Sequence, residues 1–293
     1  MHYLKKQYSY ILFVLPAFLV YTIITIIPTL YAFFYSFTDY NGLAPKYNFV
    51  GLHNFFKVFT TGNVLETLKN SLVFGFISPI VVTILAVPLA LVLNSYMKTR
   101  NLLRAIFFFP SVISALFLGY IWGYVLSPSD SGLVNSLLIH LGLPKALLLA
   151  DAQHVMLYLL LVNAWCVTGW HACIYLANLQ VVPADYYEAA TIDGAGFLEK
   201  FKNITLPMLA PSFTVSVMLL LTGSLKVFDL PFALTRGGPG YASTMITQTI
   251  ITEGINSNQV GFASAMSVMF FIIISIVTVF QVKIMRARED KLV

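Results

Sequence analysis

Six stretches of this chain are apolar over a length that matches a lipid bilayer, and no other feature limits its fold so sharply. They run over about residues 11–37, 71–97, 105–126, 154–176, 212–235 and 262–285. A helix needs about 20 apolar residues to cross the hydrocarbon core. In hydrocarbon every backbone N–H and C=O must be satisfied within the protein, so runs of this length become helices. The expectation is an all-α, polytopic membrane protein with six transmembrane helices, forming a single transmembrane domain over residues 1–293. Charge agrees: Asp, Glu, Lys and Arg make up only 10% of the chain, against about 25% in a soluble domain. So few charges do not cover a water-facing surface. The first run is longer than a secretory h-region of about 7–15 residues, so it reads as a retained span. Pro16, Pro28, Pro79 and Pro88 fall inside spans and predict kinks rather than breaks.

The basic residues orient the chain. One side carries Lys5, Lys6, Lys98, Arg100, Arg104, Lys200, Lys202, Lys283, Arg286, Arg288 and Lys291; the other carries Lys46, Lys57, Lys69, Lys145 and Arg236. Eleven against five puts both termini in the cytoplasm. Scattered between apolar runs, these cations form no stripe for nucleic acid. Three external connections follow, at 38–70, 127–153 and 236–261. The first is expected to carry a short helix around 53–59. The second is expected to carry a surface helix over 132–142, with apolar residues at 133, 134, 137, 138 and 141 on one face. The third opens with a turn signal at Arg236-Gly237-Gly238-Pro239-Gly240. Gly119 and Gly123 form a GxxxG in the third span, a spacing that permits close helix approach.

Enzyme signatures are missing. The sequence contains no CxxC, HExxH, GxSxG or GxxxxGK[ST] pattern, so ATP hydrolysis by the P-loop route is excluded. Cys166 and Cys173 lie seven apart on one helix face and read as small buried hydrophobes. The acids are dispersed and form no triad or metal set.

The connector between the fourth and fifth spans, about 179–211, has a different character. Pro183 suits a first helical position and Asp185 the positive helix end. Residues 184–192 favour helix, and Gly194 follows as a left-handed cap. A second amphipathic stretch over 197–204 puts Phe197, Phe201 and Ile204 on one face. Pro207 and Pro211 then admit the chain to the fifth span. The expectation is two short helices about a glycine turn.

Within that connector Glu188-Ala189-Ala190 is followed after three residues by Gly194, and after nine more by Ile204-Thr205-Leu206-Pro207. This matches at every fixed position the EAA motif of binding-protein-dependent ABC importer permeases. The stretch Lys226-Val227-Phe228-Asp229-Leu230-Pro231 through Arg236-Gly237-Gly238-Pro239 resembles the fifth-span signature of the carbohydrate class of these permeases, which imports malto-oligosaccharides, other di- and oligosaccharides and glycerol-3-phosphate. Residues 261–268 resemble that class's sixth-span opening. The likeness covers nearly the whole chain. It differs from the maltose system's larger permease in lacking extra N-terminal spans and a large external domain, so that prototype's solute contacts are not transferred.

The resemblance implies six helices of the type I ABC importer permease fold in a bacterial or archaeal cell membrane. It implies a second related permease subunit in a heterodimer, two cytoplasmic ATP-binding subunits and an extracytoplasmic solute-binding protein. The chain itself binds no cofactor; ATP and Mg²⁺ are used by the partner ATPase. Glu188, Ala189, Ala190, Asp193, Gly194, Ile204, Leu206 and Pro207 become the ATPase-coupling residues.

Candidates for the solute pathway come from polar and aromatic residues inside spans. Asn163, Trp165, Trp170 and His171 lie in the fourth span. Aromatics stack on sugar rings, yet Trp near a span end also serves as an interfacial anchor. Lys226 and Asp229 lie three apart, a spacing that meets on one helix face, either as a self-neutralising pair or as a polar cavity wall. The alternative function is an ATP-independent secondary transporter or channel. That reading expects an inverted repeat or ionisable residues in several spans, and the sequence has one charged pair and no repeat.

Overall fold

The computed structural model describes residues 2–289, with the side chains of residues 12–288. Lys291 lies outside the described residues, as do the side chains of Lys5 and Lys6. In chain order the helices are α1 His2–Tyr21, α2 Ile27–Tyr35, α3 His53–Thr60, α4 Gly62–Asn94, α5 Arg100–Val112, α6 Ala115–Val125, α7 Leu133–His140, α8 Val155–Leu179, α9 Ala184–Ile192, α10 Phe197–Lys200, α11 Leu206–Met208, α12 Ala210–Leu225, α13 Asp229–Thr235, α14 Ile246–Ile251 and α15 Val260–Glu289. Wide π turns occupy Thr22–Ile26, Phe201–Thr205 and Thr252–Asn256. Among the described residues the only bridge joins Thr38 and Phe49. The architecture is all-α.

Four helical stretches are long and apolar enough to cross a membrane: Leu12–Tyr35, Gly62–Asn94, Val155–Leu179 and Val260–Arg288. Two bent pairs bring the number to six when each pair counts as one span. The expected kinks take specific forms. In the first span, Ile27 N–H reaches back to Thr22 across a π turn, immediately before Pro28. Proline removes one N–H and crowds the carbonyl four residues back, and a widened turn relieves both. In α4, by contrast, Pro79 and Pro88 lie inside one helix of 33 residues. That helix begins well before the expected 71 and ends at Asn94.

The third span, expected as one helix over 105–126, is broken. Helices α5 and α6 meet at 97°. Ile113 (ψ 143°) and Ser114 (ψ 131°) are extended between them. Helix α5 lies very close to α8. A Cβ on Gly169 would run into the backbone carbonyl of Phe107, so only glycine fits there. Gly119 and Gly123 do permit close approach, and their neighbour is α13. A Cβ on Gly119 would meet Ala233 at 2.6 Å, and one on Gly123 the Leu234 carbonyl at 3.3 Å.

Contacts divide the molecule into two compact units. One comprises residues up to Gly62 together with Thr249–Ile272. There buried Asn54 donates to the carbonyls of Ser36 and Thr38 at 3.0 and 2.8 Å, sealing the end of α2. Gly261 N–H donates to Tyr40 at 2.8 Å, and Lys57 Nζ to Gln259 Oε1 at 2.6 Å. The other unit comprises Asn63–Gln248 and the chain from Ile273 on. Its core has two main parts. Phe74, Leu118, Leu159, Leu230 and Met245 pack together in one, and Ala86, Ala90, Leu93, Ala172, Tyr175 and Leu209 in the other. Each such large aliphatic side chain, fully buried, contributes about 1.5–3 kcal/mol.

The two expected surface helices form as α3 and α7. On α7, Leu133, Leu137 and Leu141 point outward, whereas Asn135 is fully buried. Its side chain bonds to Ser127 O, Ala146 O and Ala146 N, which ties the loop around it.

Candidate functional site

The connector between the fourth and fifth spans is a clamped helix pair. Helix α9 ends in a complete Schellman cap. Gly194 N–H bonds to Thr191 O at 3.1 Å, and Ala195 N–H to Ala190 O at 2.8 Å. That geometry puts Gly194 at φ +79°, a conformation glycine adopts freely. Pro183 sits one residue earlier than expected, extended just before the helix starts at Ala184. Helix α10 begins at Gly196, whose N–H donates to Glu199 Oε2 at 2.8 Å. It does not run unbroken to residue 204. It widens at Phe201–Thr205, where Leu206 N–H reaches Phe201 O. As in the first span, a proline (Pro207) follows directly.

Two side-chain bonds cross between the helices. Tyr187 and Thr205 hydroxyls are 3.1 Å apart, and Lys200 Nζ donates to Thr191 Oγ1 at 2.8 Å. Thr205 is itself buried, so the base of the pair is anchored. The tip is the opposite: Ile192 is 87% exposed, Phe197 75% and Leu198 75%. Apolar side chains grouped and exposed to that degree mark an interaction surface. Glu188, Ala189, Asp193 and Gly194 are exposed beside them, while Ala190, Ile204 and Pro207 are half-buried and Leu206 exposed. A cleft of about 900 Å³ separates Tyr187, Glu188 and Lys200 from Asn94, Tyr96 and Arg100.

The candidate pathway residues divide into two groups. Asn163 donates to Ser78 Oγ at 2.8 Å, and Ser224 Oγ donates to the same hydroxyl at 3.1 Å. This knot fastens α4, α8 and α12. His171 Nδ1 lies 2.9 Å from Ser216 Oγ, and the ring is buried. Trp170 is edge-on to His171 with centroids 4.7 Å apart, and Trp165 is edge-on to Trp122 at 5.4 Å. Trp170 and His171 border a cavity of about 250 Å³ with Ser111, Ile113 and Cys166.

Lys226 and Asp229 do not share a helix face. Helix α12 stops at Leu225, and α13 starts at Asp229. The cause is Pro231. It cannot donate to the Val227 carbonyl four residues back, and its ring crowds that carbonyl. Thr247 Oγ1 donates to Val227 O instead, at 2.7 Å. Both charged residues are exposed, and among the described residues no ion pair joins them.

Several residues that hold the site together were not visible in the sequence. Tyr187, Thr205, Ser78, Ser216 and Thr247 are ordinary polar residues until the fold supplies partners 18 to 85 positions away.

Comparison with known proteins follows from this geometry. The sequence pattern described as "Binding-protein-dependent transport system inner membrane component" matches residues 59–291. The trehalose/maltose transport system permease protein MalF of Thermococcus litoralis is 32% identical over 288 residues, covering 98% of this chain and 97% of its own length. The probable starch degradation products transport system permease protein AmyD of Thermoanaerobacterium thermosulfurigenes is 31% identical over 287 residues, covering 98% and 97%. A chain in the crystal structure of a bacterial ABC transporter involved in the import of the acidic polysaccharide alginate superposes with a TM-score of 0.85, at 22% identity, covering 97% of this chain and 96% of that one.

Proposed function

The chain belongs to the family of binding-protein-dependent transport system inner membrane components, and from that premise we propose that it is the permease subunit of an ABC importer for a sugar or oligosaccharide. Relatives that span its full length carry sugar-transport names, among them the trehalose/maltose and starch-degradation-product permeases. The whole chain acts as one permease domain. Its partners are a second, related permease subunit, two cytoplasmic ATPases that use Mg²⁺ and ATP, and an extracytoplasmic solute-binding protein. Both termini face the cytoplasm.

One observation carries the coupling part of this reading: a rigid helix pair between two spans that presents Ile192, Phe197 and Leu198 at its tip. A clamped, capped element transmits a push from its partner as a rigid body. Each ATPase closes around ATP and moves the pair, which rocks the attached spans between inward- and outward-facing states. ATP drives that change only by binding one state better than the other. Glu188 lies exposed beside the tip, where a single ion pair adds little; the apolar contact carries the grip. On the solute side, Trp170 and His171 border a cavity at the break in the third span. Asn163 reaches the pathway through the Ser78 knot. The exposed Lys226 and Asp229 mark the break in the fifth span.

The test is purification from native membranes in mild detergent, followed by identification of the co-purifying chains and an ATPase assay. An ATPase and a second six-span permease are expected, with solute-dependent ATP hydrolysis after reconstitution. A chain that purifies alone and moves solute without ATP fits the secondary-transporter alternative and overturns this reading.

A further inference from the structure

The connection after α13 holds a cation outward on a fastened loop, and the helix pair described above makes no use of it. Arg236 closes α13 at φ +52°, ψ +24°. That left-handed region is strained for a residue with a Cβ and free for glycine. Gly237 follows at φ +93°, where a Cβ would run into Thr244.

A dense set of bonds fixes this backbone. Gln248 Nε2 donates to Arg236 O at 2.9 Å, Thr244 Oγ1 to Gly237 O at 3.0 Å and Ser243 Oγ to Gly238 O at 2.6 Å. From α4, Asn70 Nδ2 donates to the carbonyls of Tyr241 and Thr244 at 2.8 and 3.1 Å. Asn63 Nδ2 lies 3.3 Å from the hydroxyl of exposed Tyr241.

The side chain of Arg236 has no such fastening. It is exposed, and among the described residues no hydrogen bond or ion pair engages its guanidinium. Exposed Lys69 adjoins Asn70, with Glu66 one turn before it on α4; exposed Asp229 opens α13. Glycine would make this turn with less strain, so what the arginine adds is its guanidinium. Arginine and tyrosine concentrate binding energy at protein–protein contacts, and a guanidinium grips a carboxylate with two parallel bonds.

We propose that Arg236, with Tyr241 on the same loop, receives an acidic patch of the extracytoplasmic solute-binding protein. This rests on the binding-protein-dependent reading and on the outward orientation of residues 236–261.

The experiment uses the complete reconstituted transporter. Its ATPase rate is measured against increasing concentrations of the solute-loaded binding protein that stimulates the wild-type complex. Arg236→Gly removes the charge and keeps the turn, Arg236→Lys keeps the charge without the fork, and Arg236→Glu inverts it. The expected half-saturating concentration rises about threefold for Lys, about tenfold for Gly and further for Glu, with the unstimulated rate unchanged and the gap narrowing in high salt. Polyglutamate, a soluble acidic competitor, raises the wild-type value and leaves that of Arg236→Gly in place. An unchanged half-saturation in Arg236→Gly overturns the proposal. So does failure of that variant to assemble, which assigns Arg236 to the fold. A shift in solute dependence at saturating binding protein assigns Arg236 to the solute and also overturns it. A wild-type complex that no solute-binding protein stimulates defeats the binding-protein reading itself, a result recognisable before any variant is made.

Discussion

Asp39 ties a loop with a single carboxylate. Its Oδ1 accepts the Asn48 backbone N–H at 2.6 Å, and Oδ2 accepts the Asn48 side-chain amide at 2.9 Å. These bonds, the backbone one foremost, hold the carboxyl below the ordinary Asp range. A lowered folded-state pKa adds stability above the unfolded value of about 3.9. That contribution fades as pH falls through the lower folded value. The Asn48 amide is therefore expected to resist hydrogen exchange from neutral pH down to about pH 4, and to lose that protection in Asp39→Asn throughout. Exchange mass spectrometry on peptides covering 40–48 reads this directly; equal protection in the two proteins contradicts it. At this scale the sequence was legible where the physics is local. Gly194 is a left-handed cap because of its immediate neighbours, and residues 184–192 form the helix they favour. Lys226 and Asp229 misled because their geometry depends on Pro231 and on Thr247, which is 20 positions from Val227. Spacing alone carries no trace of that bond.

The helix pair α9–α10 can be tested at its turn. A Cβ at Gly194 would meet nothing within 4 Å, so the cost of substitution there is conformational, about 1 kcal/mol for an ordinary residue. Asparagine, which tolerates the left-handed region, is expected to leave transport near wild type. Gly194→Val and Gly194→Pro are expected to lose most solute-coupled ATP hydrolysis and to retain less ATPase on purification. Full coupling in Gly194→Val removes the turn from the mechanism. Among the longer elements, apolar length located the spans but not their breaks. Helix α4 runs through two prolines, while the third span breaks at Ile113–Ser114, past Pro110. A bend of 97° there depends on α8 accepting α5 backbone against Gly169 and on Ser111 Oγ reaching Cys166 O at 2.7 Å. Both partners lie more than fifty positions away.

For the whole molecule, eleven basic residues against five set the orientation. Single-cysteine labelling checks it, with Cys166 and Cys173 replaced by alanine. An impermeant maleimide is expected to reach Gly142→Cys in intact cells, and Ala195→Cys only after the membrane is opened. The opposite pattern inverts the topology. The first span bears on assembly, since none of its most apolar window is buried within the chain; lipid or another subunit covers it. The π turn at Phe201–Thr205 has a consequence on this scale too. Measured against a regular α-helix, it holds one surplus residue, and a residue corresponds to about 100° of rotation and 1.5 Å of rise. Everything from Leu206 onward is therefore clocked one step out of phase with the helix pair that precedes it. The ATPase end and the pathway end of this polypeptide are joined like two shafts through an offset key. Removing one residue from that turn would rotate a different wall of the fifth span toward the solute.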